Sequence, residues 1–402
     1  MTQCPQRPRA TLELAEVVKR HGHRLGNLIP EEQRILRAIA SCRTAALGGH
    51  IETCDHCHHQ RIAYNSCRNR HCPRCQGSAC AKWMADRAKE LLPVEYFHVV
   101  FTLPDTFNSL ALGNKRVVYN VLFDAVAQTL LEVAANPKHL GAKIGFLAIL
   151  HTWGQNLSLH PHIHCVIPGG GLSSDGSTRL TTGGKWIACR QGFFLPVRIL
   201  SRVFRGKFID RLKRAWIAGK LHGIENDGAF ARLIDASVKH DWVVYSKPPF
   251  GGPGQVLKYL ARYTHRIAIS NRRLVSTNDQ TVTFGWKDYA HGSTGLTAGH
   301  NRPRVMTLDG AEFLRRFLLH AVPRGFMRIR HFGLLANRVR SRNLSICRQS
   351  IAVPSAVAQC DPAPQLPLCP KLPLCPICQR GHLIAGPNLS PVQLNLLRLD
   401  SS

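Results

Sequence analysis

Two Cys-x-x-Cys pairs, "CDHC" at 54–57 and "CPRC" at 72–75, stand fourteen residues apart in a stretch with few apolar side chains. Such a segment has little to fold around unless an ion supplies the missing core. Two tight turns at this spacing can present four thiolates, those of Cys54, Cys57, Cys72 and Cys75, to one tetrahedral Zn2+. The intervening "CRNRHC" adds Cys67 and His71, either of which can replace one of the four. Near the other end, "CPICQRGH" (375–382) supplies a further knuckle, with Cys360, Cys369 or His382 as complements for a second ion. Fifteen cysteines is an odd number, and "MTQCPQRPRATLELAEVVKR" lacks the apolar core of a secretion signal. Metal ligands and buried thiols are therefore expected rather than a disulfide framework, and the setting is read as cytoplasmic.

The 402 residues carry 53 Lys and Arg against 24 Asp and Glu, a formal charge of +29 spread through every segment. A field of that sign favours a polyanion, nucleic acid first, although a ribosome-associated or merely basic protein would share it. No stretch approaches the roughly 18–20 uninterrupted apolar residues of a spanning helix, so no membrane partner is expected. "YNSCRNRH" puts Arg68, Arg70 and His71 on the zinc module, where they suit contacts to phosphates.

After a helix predicted over 28–44, the Cys-rich stretch and a second helix stopped by Pro93, the pattern becomes that of an α+β sandwich. Strands are predicted in "EYFHVVFTLP", "KIGFLAILHTW" and "HIHCVIP", the last two as an antiparallel hairpin, with a helical region over 106–135. A basic amphipathic helix follows at 197–221, then the strand "DWVVYS" and the helix "QVLKYLARYTH". Further strands and a helix at 311–321 lead to a proline-rich tail expected to be loosely ordered. The division is 1–92 helical and zinc-binding, 93–345 catalytic, and 346–402 tail.

Within "SLHPHIHCVIPGGG", strand alternation projects His162 and His164 from one face and Ile163 and Cys165 from the other. Two imidazoles on one face can chelate a divalent ion. The third ligand can come from Gln155, His160 or His151, with Gln155 favoured. In "LKYLARYTHR" a helix stacks Tyr259 and Tyr263 at i and i+4, surrounded by Lys258, Arg262 and Arg266 as candidate DNA contacts. Tyrosines one turn apart are commonly core residues. A phenol of pKa about 10 becomes a useful nucleophile when the phosphate it attacks is polarised, and a metal on the histidine pair would supply that.

Taken in order, "YNSCRNRHCPRCQ", "LHPHIHCVIPGGG", "YLARYTHRIAISNRRL" and "FLRRFLLHAVPRGFMRIRHFGLLANR" resemble the two-tyrosine transposases of the insertion-sequence-91 family, which are HUH endonucleases of the rolling-circle type. The resemblance spans roughly residues 15–345. It implies an HUH palm of antiparallel strands with packed helices, preceded by a small zinc-ribbon-like domain. It also implies that His162 and His164 bind catalytic Mg2+ or Mn2+ and that Tyr259 and Tyr263 are the nucleophiles. The activity implied is DNA transposition: nicking and rejoining of single-stranded transposon ends and target through a 5′-phosphotyrosine. No phosphate loop of the G-x-x-x-x-G-K-[ST] type is present, as a reaction without ATP would have it. The alternatives are a non-catalytic zinc-dependent nucleic-acid-binding protein, in which the tyrosines only pack, and a hydrolytic metallonuclease.

Overall fold

Alternation in "GFLAILHTW" and "HIHCVIP" leaves apolar residues on both faces of two successive strands, which only a sheet covered on both sides can bury. The computed structural model describes residues 12–173, 184–247, 255–256, 268–287, 303–351 and 372–399. In it β5 (Gly145–Trp153) and β6 (Leu159–Pro168) form the expected hairpin at the centre of a five-stranded antiparallel sheet. The order is β13 (Ile329–Gly333), β5, β6, β3 (Tyr96–Thr102) and β9 (Val244–Lys247). The β5–β6 turn closes through the Gly154 N–H on the Ser158 carbonyl at 2.9 Å. Asn156 Oδ1 reinforces it by accepting from the Ser158 N–H and hydroxyl.

One face of this sheet carries Phe97, Val99, Phe101, Phe146, Leu150, Ile163, Cys165 and Ile167, all buried against helices α5 (Lys115–Ala135) and α6 (Val197–Ile217). Phe101 meets Phe204 of α6 edge-on at 5.1 Å, and Phe107, Phe208 and Trp242 extend the aromatic cluster. Among the described residues α5 is the one helix long and apolar enough to cross a membrane. Here its apolar residues, from Val118 to Ala134, belong to the largest core cluster. The opposite face holds a smaller apolar patch of Tyr96, Leu147, Ile149, Val166 and Val256, and beside it the histidines.

A second sheet, β10 (Leu274–Thr277), β11 (Thr281–Lys287) and β12 (Pro303–Asp309), packs with α8 (Gly310–Leu319). The N-terminal helices α1 (Leu14–His21) and α2 (Pro30–Ala40) bury Val17, Ile35 and Ile39 in that same core, against Val282, Phe284, Phe313 and Phe317. His21 Nε2 lies 3.0 Å from Thr277 Oγ1, and Arg24 Nη2 lies 2.5 Å from Asp309. α1 and α2 pack on each other and share this core with β10, β11 and α8.

The third sheet is β14 (Leu383–Leu389), β1 (Gly49–Cys54) and β2 (Gln60–Tyr64). Its composition corrects the expectation of a loosely ordered tail. β14 pairs antiparallel with β1 from Gly49↔Leu389 to Cys54↔Leu383, and α10 (Pro391–Leu399) follows it. The most proline-rich residues, 352–371, lie outside the described residues.

Phe101→Ala should cost about 3–5 kcal/mol, the usual range for emptying a buried phenylalanine site. Urea unfolding should report it as a lower midpoint with an unchanged slope.

Candidate active site and cysteine modules

Hairpin register places the histidines. His151 of β5 stands opposite His162 of β6, and His164 lies two residues further along β6, opposite Ile149. The three side chains share one face, and their ligand atoms all lie within 4.8 Å of one another. Ring centroids are 5.4 Å apart for His151–His162, 4.4 Å for His151–His164 and 4.8 Å for His162–His164. An ion with metal–nitrogen bonds of about 2.1 Å needs modest ring rotations to be shared by all three.

Hydrogen-bond neighbours bear on which nitrogen His162 and His164 present. His162 Nδ1 donates to the His160 carbonyl at 2.6 Å, leaving Nε2 outward. His164 Nδ1 is 2.8 Å from Nε2 of His98, a β3 residue, and the two rings stack at 5.0 Å. When His164 offers Nε2 to an ion, its Nδ1 carries the proton and His98 accepts it, the outer-shell arrangement that orients metal-bound imidazoles. His151 lies flat on Trp153 at 4.4 Å, with the planes 20° apart. Desolvation holds the His162 pKa down to about 4. Burial first, and then neighbouring imidazoles, hold His164 well below 6.5. Lowered in this way, both favour the neutral form at pH 7, the form that can ligate a metal. His320 of the segment after α8 secures the turn from behind, its Nε2 3.1 Å from the Leu157 carbonyl and its Nδ1 3.3 Å from Thr152 Oγ1.

His151 joins His162 and His164 as the third histidine of the cluster. Gln155 sits in the turn between the two strands, where its backbone carbonyl accepts from the Arg273 guanidinium. Tyr259, Tyr263, Lys258, Arg262 and Arg266 lie outside the described residues. Just before them, Gln255 and Val256 are helical, and Val256 is buried on the histidine-bearing face with Leu147, Ile149 and Val166.

The cysteines depart from the expected grouping. Cys72 and Cys75 converge with Cys42 and Cys67, whereas Cys54 and Cys57 converge with Cys375 and Cys378. The two knuckles thus do not share an ion. β1 and β2 carry the first knuckle toward β14, while the second is held at the end of α2, where the Arg43 N–H meets the Asn65 carbonyl at 3.0 Å. In the α2 quartet, Cys75 Sγ lies 3.5 Å from the sulfurs of both Cys42 and Cys67. A Zn2+ with bonds of about 2.3 Å sets tetrahedral sulfur–sulfur edges near 3.8 Å, so these residues fit zinc. Burial pushes the Cys42 thiol up to about 11, so binding an ion there would release protons.

His71 is not in either quartet. Its Nδ1 faces Asn69 Oδ1 at 3.1 Å and its ring is 4% exposed. Arg70 is turned inward too, donating to the Phe326 carbonyl at 2.7 Å. Of the three residues expected to meet phosphates on this module, Arg68 alone is exposed. Cys42 lies outside any Cys-x-x-Cys, and His98 is a lone histidine in the apolar strand "YFHVVF", so neither carries a sequence signal.

These arrangements agree with what the chain is similar to. Residues 14–103 match the family profile of a transposase zinc-binding domain, and residues 145–343 match that of a putative transposase. A putative transposase of Sinorhizobium fredii is 52% identical over 357 residues, 85% of this chain and 86% of the relative. The transposase for insertion sequence element IS801 of Pseudomonas savastanoi pv. phaseolicola is 30% identical over 317 residues, 78% of this chain and 72% of the relative. No solved structure matches. A transposase with an N-terminal zinc-binding domain is thus the class defined. The chain belongs to the insertion-sequence-91 family of transposases.

Burial gives the fold a pH dependence. Desolvation lowers His71 and His98 to about 3 and His162, His320 and His331 to about 4, from 6.5. The unfolded chain takes up protons on these residues below pH 6.5, while the folded chain does not until near pH 4. The unfolded state therefore binds more protons in that window, and stability falls as pH is lowered through it. Thermal unfolding followed by circular dichroism should show a melting temperature that drops steadily from pH 6.5 to 4.5. A flat profile would contradict neutral buried imidazoles.

Proposed function

We propose that this transposase nicks and rejoins single-stranded DNA at transposon ends by tyrosine transesterification, with the five-stranded sheet serving as an HUH palm. The observation that carries the reading is the histidine triad: three imidazoles on one face of the central strands, with ligand atoms within 4.8 Å of one another. Val256 is the described residue nearest in sequence to the proposed nucleophiles. It is helical and buried on that same face, and in the sequence Tyr259 and Tyr263 follow it three and seven positions on.

His151, His162 and His164 would hold Mg2+ or Mn2+, which when bound withdraws charge from a scissile phosphate. The chain's own residues then do the rest. A phenolate oxygen of Tyr259 or Tyr263 attacks phosphorus; the Oη–P bond forms as the P–O3′ bond breaks, and the 3′-oxygen leaves as a hydroxyl after taking a proton. The product is a 5′-phosphotyrosine and a free 3′-end. Because the phosphodiester's energy is retained in the tyrosine ester, attack by a 3′-hydroxyl rejoins strands without ATP. Two tyrosines allow one end to stay attached while a second is cut, as strand transfer from donor to target in rolling-circle transposition requires. His98 acts as a positioning residue by orienting His164. The charge of +29, with exposed Arg198 and Arg202 on α6 and Arg68 on the zinc module, suits a DNA partner.

Labelled single-stranded DNA of the element ends, incubated with Mn2+, tests the reading. The parent should give a protein–DNA band that survives denaturation, each single Tyr→Phe variant should give some, and Tyr259→Phe/Tyr263→Phe none while still binding DNA. His162→Ala and His164→Ala should abolish nicking with affinity for DNA largely kept. Cleavage without an adduct would indicate a hydrolytic nuclease, and binding without cleavage a zinc-dependent binding protein. His98→Gln should weaken Mn2+ binding about 10- to 100-fold by calorimetry, the usual cost of losing an outer-shell partner, with zinc content unchanged.

A further inference from the structure

The quartet of Cys54, Cys57, Cys375 and Cys378 joins residues more than three hundred positions apart in the chain, and Cys375 and Cys378 lie outside both family profiles, which cover 14–103 and 145–343. Its two halves are built alike. In the first, the His58 N–H donates to the Cys54 carbonyl at 3.2 Å; in the second, the Gln379 N–H donates to the Cys375 carbonyl at 3.0 Å. The residue four after the leading cysteine is left-handed in both, His58 at φ 56° and Gln379 at φ 53°. Neither is glycine, so each loop holds a conformation that a side chain disfavours. Backbone N–H groups point at sulfur in both halves: His56 and Cys57 at Cys54 Sγ, and Gly381 at Cys378 Sγ, all at 3.4 Å. Such donors favour thiolates over thiols.

The halves then face each other. Cys54 and Cys378 sulfurs are 3.7 Å apart and those of Cys57 and Cys375 3.6 Å, close to the roughly 3.8 Å edge of a tetrahedral zinc–tetrathiolate. Gly381 lets them meet, since a Cβ there would lie 2.6 Å from Cys54 Sγ. The His382 N–H donates to Asp55 Oδ1 at 2.7 Å, and the Asp55 N–H to the His382 carbonyl at 3.1 Å. What the module lacks is an apolar core: its buried cluster is Cys54, Cys375 and Leu383, with Cys378 at its margin. Two strained, mirrored loops around four sulfurs and almost no hydrocarbon need an ion to hold them.

We infer that Cys54, Cys57, Cys375 and Cys378 bind a second zinc ion, which fastens the C-terminal segment onto the N-terminal module and completes the β14–β1–β2 sheet. This zinc is structural and independent of the catalytic reading above. It makes the C-terminal residues 372–399 part of the zinc-binding end of the molecule.

Cobalt titration of the full chain tests it, read through thiolate-to-cobalt absorption, to which the histidine triad does not contribute. The parent should reach the intensity of two tetrathiolate centres. Cys375→Ser/Cys378→Ser and, separately, Cys42→Ser should each reach about half. Cys378→His, which keeps a ligand that zinc accepts, should retain two bound zinc ions by native mass spectrometry. Hydrogen exchange at Thr53 and Ile384, paired across β1 and β14, should accelerate at least tenfold in the double variant and stay unchanged in β5 and β6. A parent with one tetrathiolate centre would overturn the inference, whatever the variants do. So would a double variant that keeps two centres, or unchanged exchange at the β1–β14 pair.

Discussion

The register of the β5–β6 hairpin is the constraint on which the site depends. Side chains alternate along a strand, so a slip of one residue would turn His162 and His164 into the core and Ile163 and Cys165 out of it. That slip would bury two imidazoles among Phe101, Phe146 and the side chains of α5, at a cost no local hydrogen bond offsets. The apolar face therefore enforces the position of the polar one. His320, bonded to the Leu157 carbonyl and Thr152, holds the same turn from the side of α8, and so ties the second core to the geometry of the first.

The cysteine modules solve a different problem. The segments carrying them are too polar to pack on their own, and each quartet collects ligands from elements that are otherwise fixed elsewhere: the end of α2 for one, β1 and the loop before β14 for the other. Metal binding there is a way of coupling distant parts of the chain rather than a local ornament of the Cys-x-x-Cys turns. The α2 quartet sits next to the core shared by α1, α2 and α8, with Cys42, Cys67, Cys72 and Cys75 packed against it. Arg70 and His71 turn inward for the same reason: the loop that bears them is wedged against the segment around Phe326, leaving Arg68 to face solvent.

Much of this was readable in advance. Strand alternation set which face His162 and His164 occupy, helical periodicity located α5 and α6, and the order of motifs pointed to the family to which the chain belongs. Three partnerships were not readable. His151 was one of several candidates to stand beside the pair, because residues before a turn can reach the partner strand or miss it, and the register sets it opposite His162. Cys42 has no neighbouring cysteine, so spacing gave no reason to enlist it. His98 looks like an ordinary core histidine until β3 is laid beside β6.

What the sequence by itself determined is the kind of chemistry and the local shape. It specified thiols in tight turns, imidazoles alternating with aliphatics, and a basic surface, each fixed by residue type and by contacts a few positions apart. The tertiary structure alone decided who pairs with whom: Cys54 and Cys57 with Cys375 and Cys378 instead of Cys72 and Cys75, and His162 and His164 with His151. The reason is physical. A metal site needs ligand atoms within a few ångströms in space, and distance in space between residues far apart in sequence is set by sheet register and strand pairing, which no short motif encodes.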